Sequence, residues 1–235
     1  MMFSLKKSID VWFASFSSVK DPDQLARYRS WLDDDERIHY HGISCPSQRH
    51  QYLITRALVR GVLSNYEPEI QPETWAFTIE KNGKPRLDSR FSYLNLKFNL
   101  SHSEDLVVLA VCSGLEIGVD IENATRSVFG LQMAERYFSL DEVEYLNALP
   151  MADQNIQTAE LWTLKEAYLK ARGLGLRVPL NSVGFSFADS SGLDLRLSPQ
   201  SEDRSESWYM WLYSLKSDYR LAIALKVSGS KQDFR

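Results

Sequence analysis

Only two cysteines occur among the 235 residues, Cys45 and Cys112, and neither belongs to a C-x-x-C pair. That is too few for a secreted disulfide framework and the wrong spacing for a zinc or dithiol centre, so a reducing cytoplasm is the expected compartment. Long apolar runs are also lacking. The longest uncharged apolar run, Leu106 to Leu115, is half of the roughly 20 residues that a bilayer crossing needs, and no membrane association is expected. The opening segment has a basic pair ahead of an apolar stretch, but Asp10 interrupts it and no small-residue cleavage site follows. It reads as a first strand rather than a signal peptide. There is no basic excess, since 27 Lys and Arg stand against 31 Asp and Glu for a formal charge of −4. General affinity for nucleic acid is thereby excluded, because neutralising phosphates requires a concentrated basic surface. No G-x-G-x-x-G, Walker A, G-x-S-x-G or H-E-x-x-H segment is present, which removes the common nucleotide, serine-hydrolase and zinc-protease sites. His39 and His41, two residues apart with His50 nearby, are not expected to form a zinc site.

What is present is an ordinary globular composition, 44% hydrophobic and 25% charged, at a length that suits one large domain or two small ones. Apolar alternation predicts strands over Asp10–Phe16, Thr74–Glu80, Phe98–Leu100, Leu106–Cys112, Leu115–Glu122, Val183–Ala188, Leu193–Leu197, Ser207–Lys216 and Tyr219–Val227. Helical periodicity covers Pro22–Leu32, Ser47–Tyr66, Leu131–Phe138, Leu140–Leu149 and Asn155–Arg172. Ser139 with Glu142 forms an S-x-x-E capping box, and Gly173 is placed to end the longest helix. Each half runs strand, long helix, strands. The fold class expected is therefore α+β, two similar halves spanning 1–114 and 115–235, although no residue-level repeat is visible.

Three segments break the rules of a packed core, and such breaks tend to mark function. Leu115–Glu122, LEIGVDIE, reads as a buried strand carrying acids. Alternation puts Ile117, Val119 and Ile121 on one face and Gly118, Asp120 and Glu122 on the other. Two adjacent carboxylates repel unless a cation neutralises them, and hard oxygen ligands suit Mg²⁺ or Mn²⁺. A solvent-facing strand edge with ordinary acids has the same pattern. On the long helix, Leu161, Leu164, Tyr168 and Ala171 form an apolar stripe that leaves Glu166 and Lys170 together on another face, either as a surface ion pair or as part of a site. In the third segment, Asn99, Ser101, His102 and Ser103 crowd the junction of two apolar runs. A hydroxyl and an imidazole there could bond a phosphate, or the side chains could simply stabilise a turn. Upstream, KNGKPR at Lys81–Arg86 is either a hairpin tip or a basic loop that grips phosphate.

Gly83-Lys-Pro85, Asn99-Leu-Ser-His-Ser103, Ile117-Gly-Val-Asp-Ile-Glu122 and LWTLKEAYLKARGLGL at Leu161–Leu176 occur in the order that characterises the Sfp-type 4′-phosphopantetheinyl transferases, and the chain resembles that family from about Tyr52 to Leu180. The resemblance implies a pseudo-two-fold duplicated α+β fold, monomeric, with coenzyme A and Mg²⁺ (or Mn²⁺) bound between the halves. It implies transfer of phosphopantetheine to a serine of an apo acyl or peptidyl carrier protein, releasing adenosine 3′,5′-bisphosphate. Matched position by position, Asp120, Glu122 and Glu166 would ligate the metal, and Glu166 or a metal-bound water would deprotonate the carrier serine. Lys170 would steady phosphate charge, Ser101 and His102 would grip coenzyme A phosphates, and Gly83, Lys84 and Pro85 would line the adenine and 3′-phosphate pocket. Lys165 would add charge to the same cofactor site. The family's lysines before the first long helix are replaced here by Leu32–His41, LDDDERIHYH, which leaves Arg37, His39, Arg49 or Arg56 to hold the 3′-phosphate. A carrier-docking face is expected at Arg172, Leu174, Leu176 and Arg177, since carriers are acidic. Two alternatives use the same residues: a metal-dependent phosphoesterase or nuclease, and an inactive relative that only binds carriers. The lack of a further Asp/His cluster speaks against the first, and retention of three acids with Lys170 against the second.

Overall fold

Each half of the chain builds a three-stranded antiparallel sheet and lays one long helix beside it. The structure, a computed structural model, describes residues 8–81, 83–126, 128–173, 178–188, 192–197, 203–216 and 218–227. The first half contains β1 (Ile9–Ser15), α1 (Pro22–Ser30), α2 (Asp34–Gly42), α3 (Pro46–Tyr66), the hairpin β2 (Phe77–Ile79) and β3 (Pro85–Leu87), then β4 (Leu96–Ser103) and β5 (Leu106–Ser113). The second contains β6 (Ile117–Asn123), α4 (Leu131–Tyr137), α5 (Leu140–Ala148), α6 (Met151–Arg172), the hairpin β7 (Val183–Ala188) and β8 (Gly192–Leu197), then β9 (Trp208–Leu215) and β10 (Tyr219–Lys226). The sheet orders are β1-β5-β4 and β6-β10-β9, each running first, last, penultimate. The same path is thus traced twice: strand, helices ending in a long one, a separate hairpin, and two closing strands. None of the described helices is long and apolar enough to cross a membrane.

Local chemistry accounts for the boundaries. Ser139 and Glu142 exchange the two hydrogen bonds of a capping box at the start of α5, and Gly173 closes α6 in the left-handed region at φ +66°. The expected strand over Thr74–Glu80 contracts to Phe77–Ile79, because Pro72–Thr74 is a single helical turn that seats Trp75 in the core at 1% exposure. Of the expected Asn-Gly turn, Asn82 lies outside the described residues; Gly83 has φ +85° and donates to the Glu80 carbonyl, while Glu80 N donates to Lys84 O. Helix α2 starts within Leu32–His41, which the hydropathy pattern passes over, and ends one residue beyond it at Gly42; a second capping box, Asp33 with Glu36, starts it. Strand β4 extends well beyond Phe98–Leu100, because Asn99, Ser101 and Ser103 are polar yet buried.

The cores follow this plan. Val108, Ala110 and Cys112 of β5 pack with Ile117, Val119 and Ile121 of β6 and with Leu221, Ile223 and Leu225 of β10, joining the two sheets. On the other face of the second sheet, Leu161, Leu164, Tyr168 and Ala171 of α6 meet Ala222, Ala224 and Trp208. This is the apolar stripe read from the helix. Gly118 lets α6 lie directly on β6: a Cβ at that position would stand 2.0 Å from the Ala167 carbonyl oxygen and 2.4 Å from Ala171 N.

Candidate active site

The close approach of α6 to β6 brings the acids together. Residues of β6 alternate, so Gly118, Asp120 and Glu122 face the helix while Val119 and Ile121 enter the core between the sheets. Glu166 and Lys170, one turn apart on α6, complete the constellation. Asp120, Glu122, Glu166 and Lys170 line a cavity of about 380 Å³ together with Ser101 and His102 of β4, Thr55 of α3, Leu100, Val107 and Trp162. That volume falls within the range of small-molecule sites.

The polar contacts are ordered. Asp120 is 4% exposed; its Oδ1 accepts from Lys170 Nζ at 2.6 Å and from Ser101 Oγ at 2.8 Å. Lys170 Nζ also donates to Ser101 Oγ at 2.8 Å, so the three groups form a closed triangle. Glu122 Oε2 accepts from Ser103 Oγ and from Arg126, each at 3.1 Å. Asp120 Oδ2 and Glu166 Oε1 are buried without a hydrogen-bond partner. Burial, then the Asp120 charge, pushes the Glu166 carboxyl up to about 7, against the pull of Lys170. Burial and Asp120 also raise Glu122, with Ser103 and Arg126 opposing. Desolvation and the Lys170 charge hold the His102 imidazole below its ordinary value.

Two orphaned carboxylate oxygens and a raised carboxyl are the marks of a site short of positive charge, and its donors are all hard oxygens. This fits a Mg²⁺-type cation. As the side chains stand, Lys170 takes one oxygen of Asp120, while Ser103 and Arg126 share one of Glu122. Among the described residues no three His, Cys, Asp or Glu side chains are already gathered in a ligating set.

Other expected site residues stand elsewhere. Gly83, Lys84, Pro85, Lys165 and Arg56 do not line the cavity. The Lys165 ammonium is fully buried and donates to Glu142 at 2.8 Å, to Leu180 O at 3.0 Å and to Val183 O. All three of its donors are spent inside the second half, which leaves no ammonium proton free for the cofactor contact expected of it. Lys84 Nζ is likewise divided among Glu116 Oε2, Ile117 O and Ala171 O. It ties the β2–β3 hairpin to β6 and to the end of α6. Pro85 borders a separate cavity of about 140 Å³ with Arg86, Phe91 and Asn95. Arg56 lies against Glu36, 3.6 Å away, and over the Tyr52 ring. Arg172 is paired with Asp203, and the rest of the expected docking face, Leu174, Leu176 and Arg177, lies outside the described residues. Trp162 belongs to the LWTLKEAYLKARGLGL motif, but neither it nor Thr55 was expected as a site residue. Trp162 stands one turn before Glu166 on α6, a spacing that could have marked it; nothing in the local pattern of α3 distinguishes Thr55.

The architecture and this pocket define a duplicated α+β enzyme with an acidic site between its halves. Residues 116–224 match the family model of the 4′-phosphopantetheinyl transferase superfamily, and residues 21–114 match that of the 4′-phosphopantetheinyl transferase N-terminal region. The chain belongs to this family. It is 30% identical to the 4′-phosphopantetheinyl transferase HetI of Nostoc sp. over 88% of its own length and 82% of that protein's. It is 33% identical to psf-1 of Bacillus pumilus over 74% and 70%, and 28% identical to Sfp of Bacillus subtilis over 86% and 85%. A holo-(acyl-carrier-protein) synthase from Bacillus anthracis in complex with CoA aligns with 48% of this chain and 98% of its own, at 22% identity and a TM-score of 0.41.

Proposed function

We propose that the chain transfers the 4′-phosphopantetheine group of coenzyme A to a serine hydroxyl of an apo acyl or peptidyl carrier protein, in a Mg²⁺-dependent reaction that releases adenosine 3′,5′-bisphosphate. The serine Oγ–P bond forms as the pyrophosphate P–O bond of coenzyme A breaks, and the serine proton passes to a base. One observation carries this reading: β6 and α6 bring three carboxylates and one ammonium, and β4 the Ser101 hydroxyl and His102 imidazole, to a single cavity. Phosphoryl transfer demands chiefly positioning and charge neutralisation, which is what such a set supplies.

Asp120, Glu122 and Glu166 would hold the cation, which would neutralise the pyrophosphate oxygens and the developing charge. Lys170, already close to Asp120 and Ser101, would contact the transferred phosphate and the leaving oxygen. Ser101 and His102 would donate to phosphate oxygens. The buried, unpartnered Oε1 of Glu166 would take the serine proton. Lys84 and Lys165 would serve by holding backbone, since their ammonium protons are already used. The halves proposed as 1–114 and 115–235 would act as one unit, a division supported by the way the strands separate into two sheets.

The test is a mass assay. The chain is incubated with coenzyme A, Mg²⁺ and a panel of apo carriers from fatty-acid, polyketide and peptide synthases. The expected result is gain of the phosphopantetheine mass on at least one carrier, abolished by EDTA and by Glu166→Gln. No gain on any carrier, or hydrolysis of coenzyme A without a carrier, would refute it.

A further inference from the structure

Strands β4 and β6 are the facing edges of the two sheets, yet they share no backbone ladder. An edge strand leaves alternate amides unpaired, and buried ones must find partners. Here side chains of β4 provide them. Asn99 Oδ1 accepts from Val119 N at 2.8 Å, and Ser103 Oγ accepts from Asn123 N at 3.1 Å. Between these, Ser101 Oγ donates to Asp120 Oδ1. Residues 99, 101 and 103 alternate along β4, are 4%, 7% and 4% exposed, and all point at β6. The polar residues that interrupt the apolar pattern of β4 are therefore a side-chain ladder across the seam between the halves.

Ser103 does two things with one hydroxyl. Its lone pair receives the Asn123 amide, and its proton goes to Glu122 Oε2 at 3.1 Å. The only other partner of Glu122 among the described residues is Arg126, whose side chain is 42% exposed and hence screened by water. Asn99 grips β6 at Val119, between Gly118, where α6 packs closest, and Asp120. We propose that Ser103 and Asn99 are positioning residues for the acidic site: Ser103 aims the Glu122 carboxylate, and Asn99 holds β6 at the register that brings Asp120 opposite Lys170. Neither touches the reacting atoms. Groups that orient a ligating carboxylate typically matter tenfold or more to metal affinity.

This inference rests on the proposed metal-dependent transfer, and its test separates the two. Mn²⁺ serves as probe, its binding to the full chain with coenzyme A followed by electron paramagnetic resonance, alongside transfer kinetics on an apo carrier. Ser103→Ala is expected to weaken Mn²⁺ binding about tenfold and to lower kcat while leaving the KM for carrier within about twofold; Ser103→Thr, which keeps the hydroxyl, should restore both. Asn99→Ala should weaken binding in the same direction. Ser64→Ala is the structural control, since Ser64 donates to Ile70 O and accepts from Trp75 Nε1 away from the cavity; it should lower thermal stability without changing Mn²⁺ affinity. Unaltered chain that neither binds Mn²⁺ nor transfers would overturn the functional reading and this inference with it. If the unaltered chain binds and transfers, this inference alone falls should Ser103→Ala do so equally well, or should Ser64→Ala weaken binding as much. It also falls if Ser103→Ala and Asn99→Ala cannot be found folded at any temperature, because the residues would then be purely structural.

Discussion

Gly118→Ala probes the contact on which the site depends. The added Cβ would meet the Ala167 carbonyl oxygen at 2.0 Å and the Ala171 amide nitrogen at 2.4 Å, where ordinary contact begins at 3.4 Å. Both obstacles are backbone of the long helix, so no side chain can rotate away. α6 must move off β6 by about 1.4 Å, the shortfall at the closer contact. Overpacking of this kind costs about 1–3 kcal/mol, and the rigid obstacles put this case at the upper end. For a chain of this size that lowers Tm by about 5–10 °C. The catalytic cost is separate. Glu166 and Lys170 ride on the displaced helix while Asp120 and Glu122 stay on β6, and a misplacement of about 1 Å is worth roughly 100-fold in rate. Differential scanning calorimetry and the carrier mass assay, run well below the lowered Tm, would measure the two effects. Gly42→Ala serves as control, because a Cβ there meets nothing within 4 Å. A Gly118→Ala chain with Tm and transfer rate close to those of the unaltered protein would refute the account of α6 packing.

Two further outcomes follow from buried charge. Burial acts to raise the Glu116 carboxyl, but hydrogen bonds from Arg86 and the charges of Lys84, Arg86 and Lys97 overcome it and hold the group down to about 2. A depressed carboxyl contributes stability above its unfolded value near 4.5 and loses it as pH falls toward 2. The unaltered chain should therefore exceed Glu116→Gln by about 1–2 kcal/mol at pH 7, allowing for partial solvent screening, and the gap should close between pH 4.5 and 2 in urea titrations; a gap independent of pH would count against it. Lys165→Met should cost about 3–5 kcal/mol, because it strands Glu142 and two carbonyls in the core, while the KM for coenzyme A of the folded protein stays unchanged. A raised KM with an unaltered Tm would instead put Lys165 at the cofactor.

Most elements were legible because their signals are local. The 3.6-residue stripe of Leu161, Leu164, Tyr168 and Ala171, the Ser139–Glu142 box and Gly173 each act within a turn or two of chain, and all appear as expected. The face of β6 carrying Gly118, Asp120 and Glu122 was readable from alternation alone. Helix α2 was missed because its apolar pattern is weak and its main anchor is nonlocal: Arg60 of α3, fully buried, donates to Glu36 at 2.6 Å and to Asp33 at 3.2 Å. Strand β4 was cut short because its polar residues looked like a turn until their partners on β6 were known. The partners of the Lys84 and Lys165 ammonium groups were hidden for a related reason. A lysine beside an acidic motif looks the same whether its ammonium faces a phosphate or a helix-end carbonyl.

The sequence by itself determined the α+β class, the repeated order of elements, the acidic strand and the Glu166–Lys170 pair, since periodicity, capping and motif order are properties of neighbouring residues. It also carried the family resemblance that the family-model matches established. Only the tertiary structure decided which of those residues meet. The approach of α6 to β6 over Gly118 and the side-chain bonds from β4 to β6 are contacts between segments about 20 to 50 residues apart. They set which carboxylate oxygens are left without partners and which lysines are consumed by backbone. Those choices depend on desolvation and on competition among hydrogen-bond donors, and neither exists until the two sheets are packed together.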